Sequence, residues 1–348
     1  MSDLKTKPVL AGLPLKDLGG ILGTFPLFRI RQIYKWICSG ANSFEEMTNL
    51  PLAMRKELEE KYAICAGEVI RNLRDSDGTI KLGIKLPDGA VIEAVMLRDG
   101  EGRKTACLST QAGCPLGCIF CKTGSIGFKR NLLAGEISSQ FIHLKKIEKD
   151  ITHIVIMGMG EPLLNLDELR KSLDYFMLKD GVNISKRRIT ISTSGIIKGI
   201  EDLACNGPDI RLALSLNTAR SELREKLMPQ TVENPLQCIK KTLLEYQQKW
   251  DRRITLEMVL LGGINTGLED VKAAAIFAKG LNAVVNLIPW NAVDGLKFDG
   301  IPLKAPASGE VIDFKNALEK KGLNVTRRYG KGLRISGACG QLGQKMLN

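Results

Sequence analysis

Short apolar segments alternate with amphipathic segments through the last two thirds of the chain. Apolar segments of strand length follow one another from Lys104 onward: TACLST, ITHIVIMGM, RRITISTSG, DIRLALSLN, RITLEMVLL and AVVNLIPW. Between them, LDELRKSLDYFMLK, PLQCIKKTLLEYQQKW and LEDVKAAAIFAKGL repeat apolar residues with helical spacing. This alternation predicts an α/β fold with about six βα units around a parallel sheet, forming a complete or partial barrel. The chemistry of such barrels lies at the carboxyl ends of the strands.

The first hundred residues have a different pattern. FRIRQIYKWICSG and SFEEMTNLPLAMRKELEEKY predict a small basic helical domain over residues 1–62, and Ser43 with a glutamate three residues later predicts a capping box at a helix start. Residues 66–99 alternate apolar and polar positions around two Asp-Gly turns, which is typical of a β meander. We therefore expect a short β linker over residues 63–100 and a catalytic domain over residues 101–348.

Charge and cysteine content narrow the possible functions. The 348 residues carry a formal charge of +12, which favours a polyanionic partner, although solvated lysines on an ordinary surface remain an alternative. No segment approaches the roughly 20 apolar residues of a membrane span, and the start lacks an export signal, so we expect a cytoplasmic protein with no membrane partner. The 9 cysteines are odd in number and unevenly spaced, which favours ligands, nucleophiles and core residues over a disulfide framework.

Three cysteines crowd into the segment GCPLGCIFCKTG. They are Cys114, Cys118 and Cys121, just after the first predicted barrel strand. Structural zinc sites and iron–sulfur clusters usually take four protein ligands, so this triplet would leave one iron of a cluster open to a small ligand. Zinc remains an alternative if Cys107 joins the triplet.

The spacing Cys-x3-Cys-x2-Cys at this position resembles the signature of radical S-adenosylmethionine (SAM) enzymes. The resemblance implies a 4Fe-4S cluster whose fourth iron is chelated by the methionine part of the cofactor. MGMGEP, residues 157–162, is similar to the glycine-rich element that receives the cofactor's amino group in these enzymes. By itself that element would also suit a simple tight turn.

Five further segments resemble the RlmN/Cfr family of radical-SAM adenosine methyltransferases over nearly the whole chain: DGTIKLGI, GFKRNL, SKRRITISTSG, NLIPWN and SGACGQL. The resemblance implies a partial (β/α)6 barrel and methylation of adenine C2 in the peptidyl-transferase centre of 23S ribosomal RNA and in transfer RNA beside the anticodon. Three alternatives remain: the branch that methylates C8 and confers antibiotic resistance, a protein-modifying activase, and a non-catalytic RNA-binding protein with a structural metal.

The family's mechanism assigns roles to individual residues. The resemblance implies that one SAM methylates Cys339 of SGACGQL and that a second, cleaved reductively at the cluster, generates a radical that activates this methyl group. The activated group then adds to adenine, Cys107 resolves the covalent adduct by forming a disulfide, and Glu93 accepts a proton. The family also implies a flavodoxin or ferredoxin as electron donor, and we expect a monomer.

The resemblance also implies a set of cofactor contacts at the strand ends: Gly160, Glu161, Ser192, Ser215, Leu216, Asn217 and Asn291. The chain departs from the family pattern in two places. Asn217 stands where the family usually has histidine, and it cannot act as an acid near neutral pH. Lys331 and Arg334 stand in the segment YGKGLRIS, where the family generally has an acidic pair.

The remaining cysteines and basic residues carry weaker signals. The sequence contexts of Cys38, Cys65, Cys205 and Cys238 predict core positions. Phosphate contacts near the strand ends are predicted for three basic runs, each of which would also suit a solvated face: Lys129 with Arg130, residues 186–188, and Arg327 with Arg328. The N-terminal helices, with Arg29, Arg31, Lys35 and Trp36, are candidates for clamping structured RNA and exposing the target base.

Overall fold

A sheet of ten strands runs through most of the molecule. The structure is a computed structural model and describes residues 7–343. The strands are β1 (Glu68–Arg74), β2 (Ile80–Lys85), β3 (Val91–Arg98), β4 (Lys104–Cys107), β5 (Gln111–Gly113), β6 (Phe128–Asn131), β7 (His153–Ile156), β8 (Ile189–Thr193), β9 (Arg211–Ser215), β10 (Ile254–Leu260), β11 (Ala283–Pro289), β12 (Lys297–Phe298), β13 (Ile301–Pro302) and β14 (Val325–Arg327). The large sheet has the order β1-β2-β3-β4-β7-β8-β9-β10-β11-β14.

Helices connect the strands and cover the sheet. They are α1 (Leu15–Ile21), α2 (Leu27–Ser39), α3 (Leu52–Lys61), α4 (Lys122–Ser125), α5 (Ala134–Ile147), α6 (Leu166–Met177), α7 (Ile197–Asn206), α8 (Ser221–Leu227), α9 (Leu236–Trp250), α10 (Leu268–Ala278) and α11 (Ser308–Lys320). The helix α9 shows how they pack, because Ile239, Leu243 and Tyr246 recur at helical spacing and are all buried. Within residues 7–343, no helix is long and apolar enough to cross a membrane.

The parallel part of the sheet confirms the predicted βα units. Strands β4, β7, β8, β9, β10 and β11 pair in parallel in chain order, and β14 adds a seventh parallel strand beside β11 that the sequence pattern did not predict. The ends of the sheet are β1 and β14, so the barrel is partial. All carboxyl ends of the parallel strands therefore meet at one edge, where the site is expected.

The predicted meander forms, but it belongs to the same sheet as the barrel. Strands β1, β2 and β3 are antiparallel, and β3 in turn pairs antiparallel with β4, placing Val95 opposite Cys107. Five of the six residues of β2 are buried. The meander is thus hydrogen-bonded to the first barrel strand. The division of the chain into domains, with a linker over residues 63–100, stays a prediction.

One predicted helix in the N-terminal region is wrong. The segment after Ser43 forms only a short 3-10 helix, Phe44–Glu46, and α3 begins after Pro51. A proline disfavours helical backbone in the residue before it, so one continuous helix cannot pass through this point. Ser43 nevertheless contacts Glu46 as a capping box would suggest, since its hydroxyl donates to the carboxylate at 3.1 Å.

Two of the four cysteines predicted to lie in the core do not. Cys38 is buried and Cys65 is half-buried, but Cys205 and Cys238 are exposed. Both exposed cysteines lie on amphipathic helices, α7 and α9, and fall outside the apolar positions that face the sheet. Their exposure depends on which side of the helix they occupy, and the apolar residues around them in the sequence do not reveal that side.

Candidate active site

The segment with three cysteines leaves β5 through a sharp turn. Gly113 has φ +84°, and a Cβ there would lie 1.9 Å from the carbonyl oxygen of Gly127, so only glycine fits. The amide of Cys114 donates to that same carbonyl at 3.0 Å. The amide of Ile119 donates to Leu227 O, at the end of α8, at 3.1 Å. Main-chain bonds therefore fix both halves of this segment, residues 113–121, which we call the triplet loop.

A small hydrophobic cluster holds the tip of the triplet loop. Its buried members are Phe120, Leu223, Leu227, Met228, Leu261, Trp290, Val293 and Leu303. Leu261 and Trp290 directly follow β10 and β11, so the cluster lies at the carboxyl edge of the sheet. The indole nitrogen of Trp290 donates to Phe120 O at 2.9 Å. The loop is thus packed against the strand ends.

One cavity of about 160 Å³ brings together most of the predicted site residues. Its lining includes Cys114, Cys118, Cys121, Gly160, Glu161, Ser192, Ser215, Asn217 and Cys339. Two residues predicted to bind the cofactor, Leu216 and Asn291, are not among the lining residues. A concave site with a few convergent polar groups at the strand ends is the usual form of a cofactor pocket.

The three thiols of the triplet loop are drawn out of water and line one cavity together. Burial raises the pKa of Cys114 to about 12 and also raises the pKa values of Cys118 and Cys121. Repulsion from the other two sulfurs adds to the effect of burial at Cys118. A bound cluster would take the three cysteines as thiolates, and its iron ions would offset the repulsion between their sulfurs. Three thiols around one cavity fit an iron–sulfur cluster that leaves one iron open.

The glycine-rich element packs tightly against β5. Gly160 has φ +103°, and a Cβ there would lie 2.6 Å from Gln111 Cβ. The next amide, that of Glu161, donates to Gln111 Oε1 at 2.8 Å. Glycine at position 160 is therefore required by the backbone and by this close approach, and the turn it makes lines the cavity.

Glu161 joins two strand ends. Its side chain is buried, and its two oxygens accept from Leu163 N at 3.1 Å and from Ser194 N at 2.8 Å. Burial raises the pKa of this carboxyl despite those bonds. Glu161 therefore orders the loop that follows β8 and presents a buried carboxylate to the cavity.

A glutamate that the sequence did not predict forms a hydrogen-bonded group with the two predicted serines. Ser192 on β8 donates to Glu257 Oε2 at 2.9 Å and is 3.1 Å from the hydroxyl of Ser215 on β9. Glu257 lies on β10 and lines the cavity. Its signal was present in ITLEMVL, where one carboxylate interrupts an otherwise apolar strand.

A buried arginine holds the loop after β9. Arg224, on α8, is 2% exposed and donates to Ser215 O at 3.0 Å and to the carbonyls of Leu216 and Ser194. Burial lowers the pKa of its guanidinium to about 10. Leu216 is itself fully buried, so it contributes a carbonyl that Arg224 binds.

Asn217 has a structural part in the same loop. Its φ is +56°, a conformation that asparagine tolerates better than most residues. Its side-chain oxygen accepts from Val259 N at 3.0 Å, and its side-chain nitrogen lies 3.2 Å from Met228 Sδ. Asn217 therefore joins β9 to β10 while it lines the cavity.

Cys339 lies between two cavities. It lines the cavity of the triplet loop and also a smaller one, of about 20 Å³, with Cys107, Asn291 and Arg328. Cys107 is the last residue of β4, and burial raises its pKa to about 12. Asn291 donates to Cys339 O at 3.0 Å. The structure thus brings the two predicted reactive cysteines to one place and positions Asn291 beside them.

Glu93 reaches the segment that carries Cys339 through its hydrogen bonds. It is 3% exposed and pairs with Lys81 at 3.0 Å, and its other oxygen accepts from Gly343 N at 2.8 Å. Lys81 in turn donates to Ser336 O at 3.2 Å. This buried pair therefore holds both ends of residues 336–343, which we call the Cys339 loop.

The first turn of the meander adds two more contacts. Asp77 accepts from Gly332 N at 2.9 Å, and Asp75 accepts from Arg334 N at 3.0 Å. Lys81 and these two aspartates were not predicted. The signal for Lys81 was a lysine in one apolar meander strand and a glutamate in the next, an arrangement that favours a buried ion pair.

The basic residues that were predicted to contact phosphate lie in different environments. The predicted position near the strand ends is wrong for residues 186–188, which precede β8 and so lie at the opposite edge of the sheet, where Lys186 pairs with Asp209 at 2.8 Å. Arg130 is engaged by Asp88 at 2.6 Å and by Glu136 at 2.7 Å. Arg328 is half-buried beside the cysteines. Phosphate contact by these basic residues stays a prediction.

The N-terminal candidates divide into two groups. Arg29 donates to Asn49 O at 2.9 Å and Trp36 donates to Asn49 Oδ1 at 2.8 Å, so both support the loop before α3. Arg31 and Lys35 are exposed on α2. These two remain free to meet a polyanion, as the sequence predicted.

Two parts of the chain match known protein families. Residues 108–275 match the radical SAM superfamily, and residues 23–64 match the N-terminal domain of ribosomal RNA large subunit methyltransferases. A probable dual-specificity RNA methyltransferase RlmN of Treponema denticola is 48% identical over 99% of this chain and 97% of its own length. A dual-specificity RNA methyltransferase RlmN of Anaeromyxobacter dehalogenans is 40% identical over 96% of this chain and 91% of its own.

A solved structure agrees with these relatives. The crystal structure of a radical SAM methyltransferase from Sphaerobacter thermophilus superposes with a TM-score of 0.90 at 34% identity, covering 97% of this chain and 99% of that one. The likeness extends through the N-terminal helices, the meander and the barrel, which confirms the predicted fold class.

Proposed function

We propose that this chain, which belongs to the RlmN family of radical-SAM RNA methyltransferases, methylates carbon 2 of adenosine in 23S ribosomal RNA and in the transfer RNA position beside the anticodon. The position of Cys339 carries this proposal, because the residue lines both the cavity of the triplet loop and the smaller cavity of Cys107. One sulfur can thus accept a methyl group on one side and meet a second thiol on the other.

The cavity of the triplet loop is the proposed cofactor site. Cys114, Cys118 and Cys121 would hold a 4Fe-4S cluster, which, with bound SAM, supplies a carbon-centred radical that an electron-poor ring carbon requires. Glu161 and the Ser192–Ser215–Glu257 group offer charge and hydrogen bonds to the polar parts of SAM. We propose two SAM molecules per turnover, one of them the methyl source for Cys339.

The two remaining thiols divide the work on the RNA. We propose that Cys339 carries the methyl group to adenine and that Cys107 releases the enzyme from the RNA by forming a disulfide with Cys339. Arg328 lines the small cavity with both thiols, and its positive charge opposes the rise in the pKa of Cys107 that burial causes. This charge favours the thiolate that the release step needs.

Glu93 is the proposed proton acceptor. Its carboxylate is bound by Lys81 and by the amide of Gly343, so it is connected to the Cys339 loop through one hydrogen bond. Protonation of Glu93 would weaken the Lys81 pair, and we propose that the same carboxylate both fixes the loop and takes up the proton.

The proposed partners follow from this activity. They are 23S ribosomal RNA, transfer RNA and a flavodoxin or ferredoxin that delivers electrons to a monomeric enzyme in the cytoplasm. The first experiment compares nucleosides from 23S ribosomal RNA and from transfer RNA of cells with and without the gene, by mass spectrometry. Loss of 2-methyladenosine from both RNAs is expected. Loss of 8-methyladenosine would indicate the C8 branch, and no change in either nucleoside would contradict the proposal.

Cysteine variants of the purified enzyme test the division of roles. Cys339→Ala should lose methylation and keep its iron, whereas Cys107→Ala should accumulate enzyme crosslinked to RNA, visible as a slower band on a denaturing gel. Cys205→Ala, on the exposed face of α7, is the matched control and should behave as wild type. Full turnover by Cys339→Ala would overturn the mechanism.

A further inference from the structure

Tyr329 is an aromatic side chain at the mouth of the reactive site with no part in the chemistry described so far. It is 69% exposed and lines the small cavity together with Cys107 and Cys339. The strand β14 ends at Arg327, so Tyr329 lies just beyond the carboxyl edge of the sheet. A large ring so exposed beside two reactive thiols requires an explanation.

The backbone before Tyr329 is extended, and a neighbouring arginine contacts the tyrosine ring. The amide of Arg328 donates to Leu287 O at 2.9 Å, so the extended pairing with β11 continues past β14. Arg328 and Tyr329 both line the small cavity with the two cysteines. The Arg327 guanidinium lies 4.9 Å from the centre of the Tyr329 ring. This contact fixes the orientation of the ring and leaves much of it open to solvent.

The size of the small cavity decides where an RNA base can lie. Its volume of about 20 Å³ is close to that of a single water molecule and is far too small for a purine. The larger cavity that Cys339 also lines is the proposed place of the cofactor. A base that reacts with Cys339 therefore approaches from the mouth of the small cavity, where the Tyr329 ring is exposed. Aromatic rings that meet unpaired bases bind them by stacking.

We propose that Tyr329, held by Arg327, is a stacking platform for the nucleobase that the enzyme draws out of the RNA to the mouth of the Cys107–Cys339 cavity. This inference rests on the proposed function, since it takes RNA as the substrate. Lys331 and Arg334 follow in the next five residues and bring positive charge for the adjoining phosphates. Stacking tolerates any base and any sequence context, which suits an enzyme that accepts two different RNAs.

The test compares three variants of the full-length, cluster-loaded enzyme on an in vitro transcribed transfer RNA. Tyr329→Ala removes the ring, Tyr329→Phe keeps it, and Ile276→Ala is a control at a position 72% exposed on α10. Loss of one base–aromatic stack corresponds to about a tenfold decrease or more, so kcat/KM should fall by that factor in Tyr329→Ala. It should stay within about twofold of wild type in the other two variants. Iron content and thermal unfolding should not change in any of them.

A second measurement reports on stacking without methylation. The same transfer RNA carries 2-aminopurine in place of the adenosine beside the anticodon, and its fluorescence is followed as enzyme is added. Wild type and Tyr329→Phe should quench this fluorescence, and Tyr329→Ala should leave it bright while it still binds the RNA. Equal kcat/KM and equal quenching in Tyr329→Ala and wild type would overturn the platform.

The two measurements also separate this inference from the proposed function. A wild-type enzyme that makes no methyladenosine contradicts the proposed function, and the quenching then decides the platform by itself. A wild-type enzyme that methylates RNA while Tyr329→Ala matches it in both measurements contradicts the platform alone.

Discussion

The triplet loop and the Cys339 loop carry the reactive cysteines, and they are held in place by different kinds of contact. The triplet loop is fixed by its own backbone and by the hydrophobic cluster around Phe120. The Cys339 loop and the residues just before it are bound by polar side chains from the distant meander, with Lys81, Glu93, Asp75 and Asp77 each binding a main-chain group of residues 332–343. Thr123, Asn291 and the amide of Lys122 bind further main-chain carbonyls of the loop.

The difference matches what each loop has to do. A cluster must be held at a fixed place, and close packing provides rigidity. Cys339 lines two cavities, and exchanging one hydrogen bond of its loop for another has a modest cost, since each is worth about 1 kcal/mol net. Ser336 and Gly340, on either side of Cys339, have φ values of +51° and +83°, which places changes of backbone direction next to the sulfur.

The largest effect is expected from breaking the triplet loop. Cys118→Ser should lose its iron and acid-labile sulfide and with them all methylation, because a serine hydroxyl does not replace a thiolate in a cluster of this kind. Iron analysis of the purified protein checks this. Cys238→Ser, on the exposed face of α9, should retain full iron and activity. A Cys118→Ser enzyme with full iron would show that the triplet is not the cluster site.

Breaking the buried ion pair should have the next largest effect. Lys81→Met leaves the Glu93 carboxylate buried without its cation and should lower the free energy of unfolding by about 3–5 kcal/mol. Urea unfolding measures this loss. The double variant Lys81→Met/Glu93→Gln removes the unpaired charge and should recover most of it. If the double variant is as unstable as Lys81→Met, the pair does not hold the Cys339 loop in the way we describe.

The rate at which the Cys107 thiol, which lines the small cavity, is alkylated should depend on pH because the thiol is buried. Burial raises its pKa to about 12. Below that pH, each increase of one pH unit therefore raises the thiolate fraction about tenfold. Its alkylation by iodoacetamide, followed by mass spectrometry, should keep rising from about pH 7 to about pH 10, whereas a small free thiol levels off near its pKa of about 8.5. A plateau for Cys107 below about pH 9 would contradict this prediction.

The smallest effect is expected at the meander turn. Asp77→Ala removes the acceptor for Gly332 N and should cost about 1–2 kcal/mol, seen as a decrease of about tenfold in methylation rate without a change in iron content. Asp99→Ala, at the turn between β3 and β4, removes an aspartate that binds only its own turn and is the matched control. Equal rates for both variants would mean that Asp77 does not position the loop.

The sequence predicted best those features that depend on short-range patterns. The strands β4 and β7 to β11 follow from their apolar runs, and the cavity of Cys114, Cys118 and Cys121 follows from their spacing and from the strand ends beside them. The prediction of one helix after Ser43 is wrong because Pro51 interrupts it. The prediction that Cys205 and Cys238 lie in the core is wrong because their exposure depends on which side of the helix they occupy.

Contacts between distant segments were beyond prediction from such patterns. The pairing of β3 with β4, which makes the meander part of the barrel sheet, depends on strand register that no local segment encodes. The position of the Cys339 loop beside Cys107 depends on that same sheet. Nine of the expected site residues line one cavity, whereas Asn291, which was expected at the cofactor, lies outside its lining and binds Cys339 O.

The separation along the chain between Lys81 and Ser336 is 255 residues, and the same number separates Asp77 from Gly332. The meander residues that anchor the Cys339 loop are therefore synthesised before the triplet loop, and the Cys339 loop is synthesised long after both. A nascent chain can already contain the complete triplet loop while it has no Cys339 to accept a methyl group. The methyl acceptor is thus the last of the reactive cysteines to be made, and its anchors are in place before it.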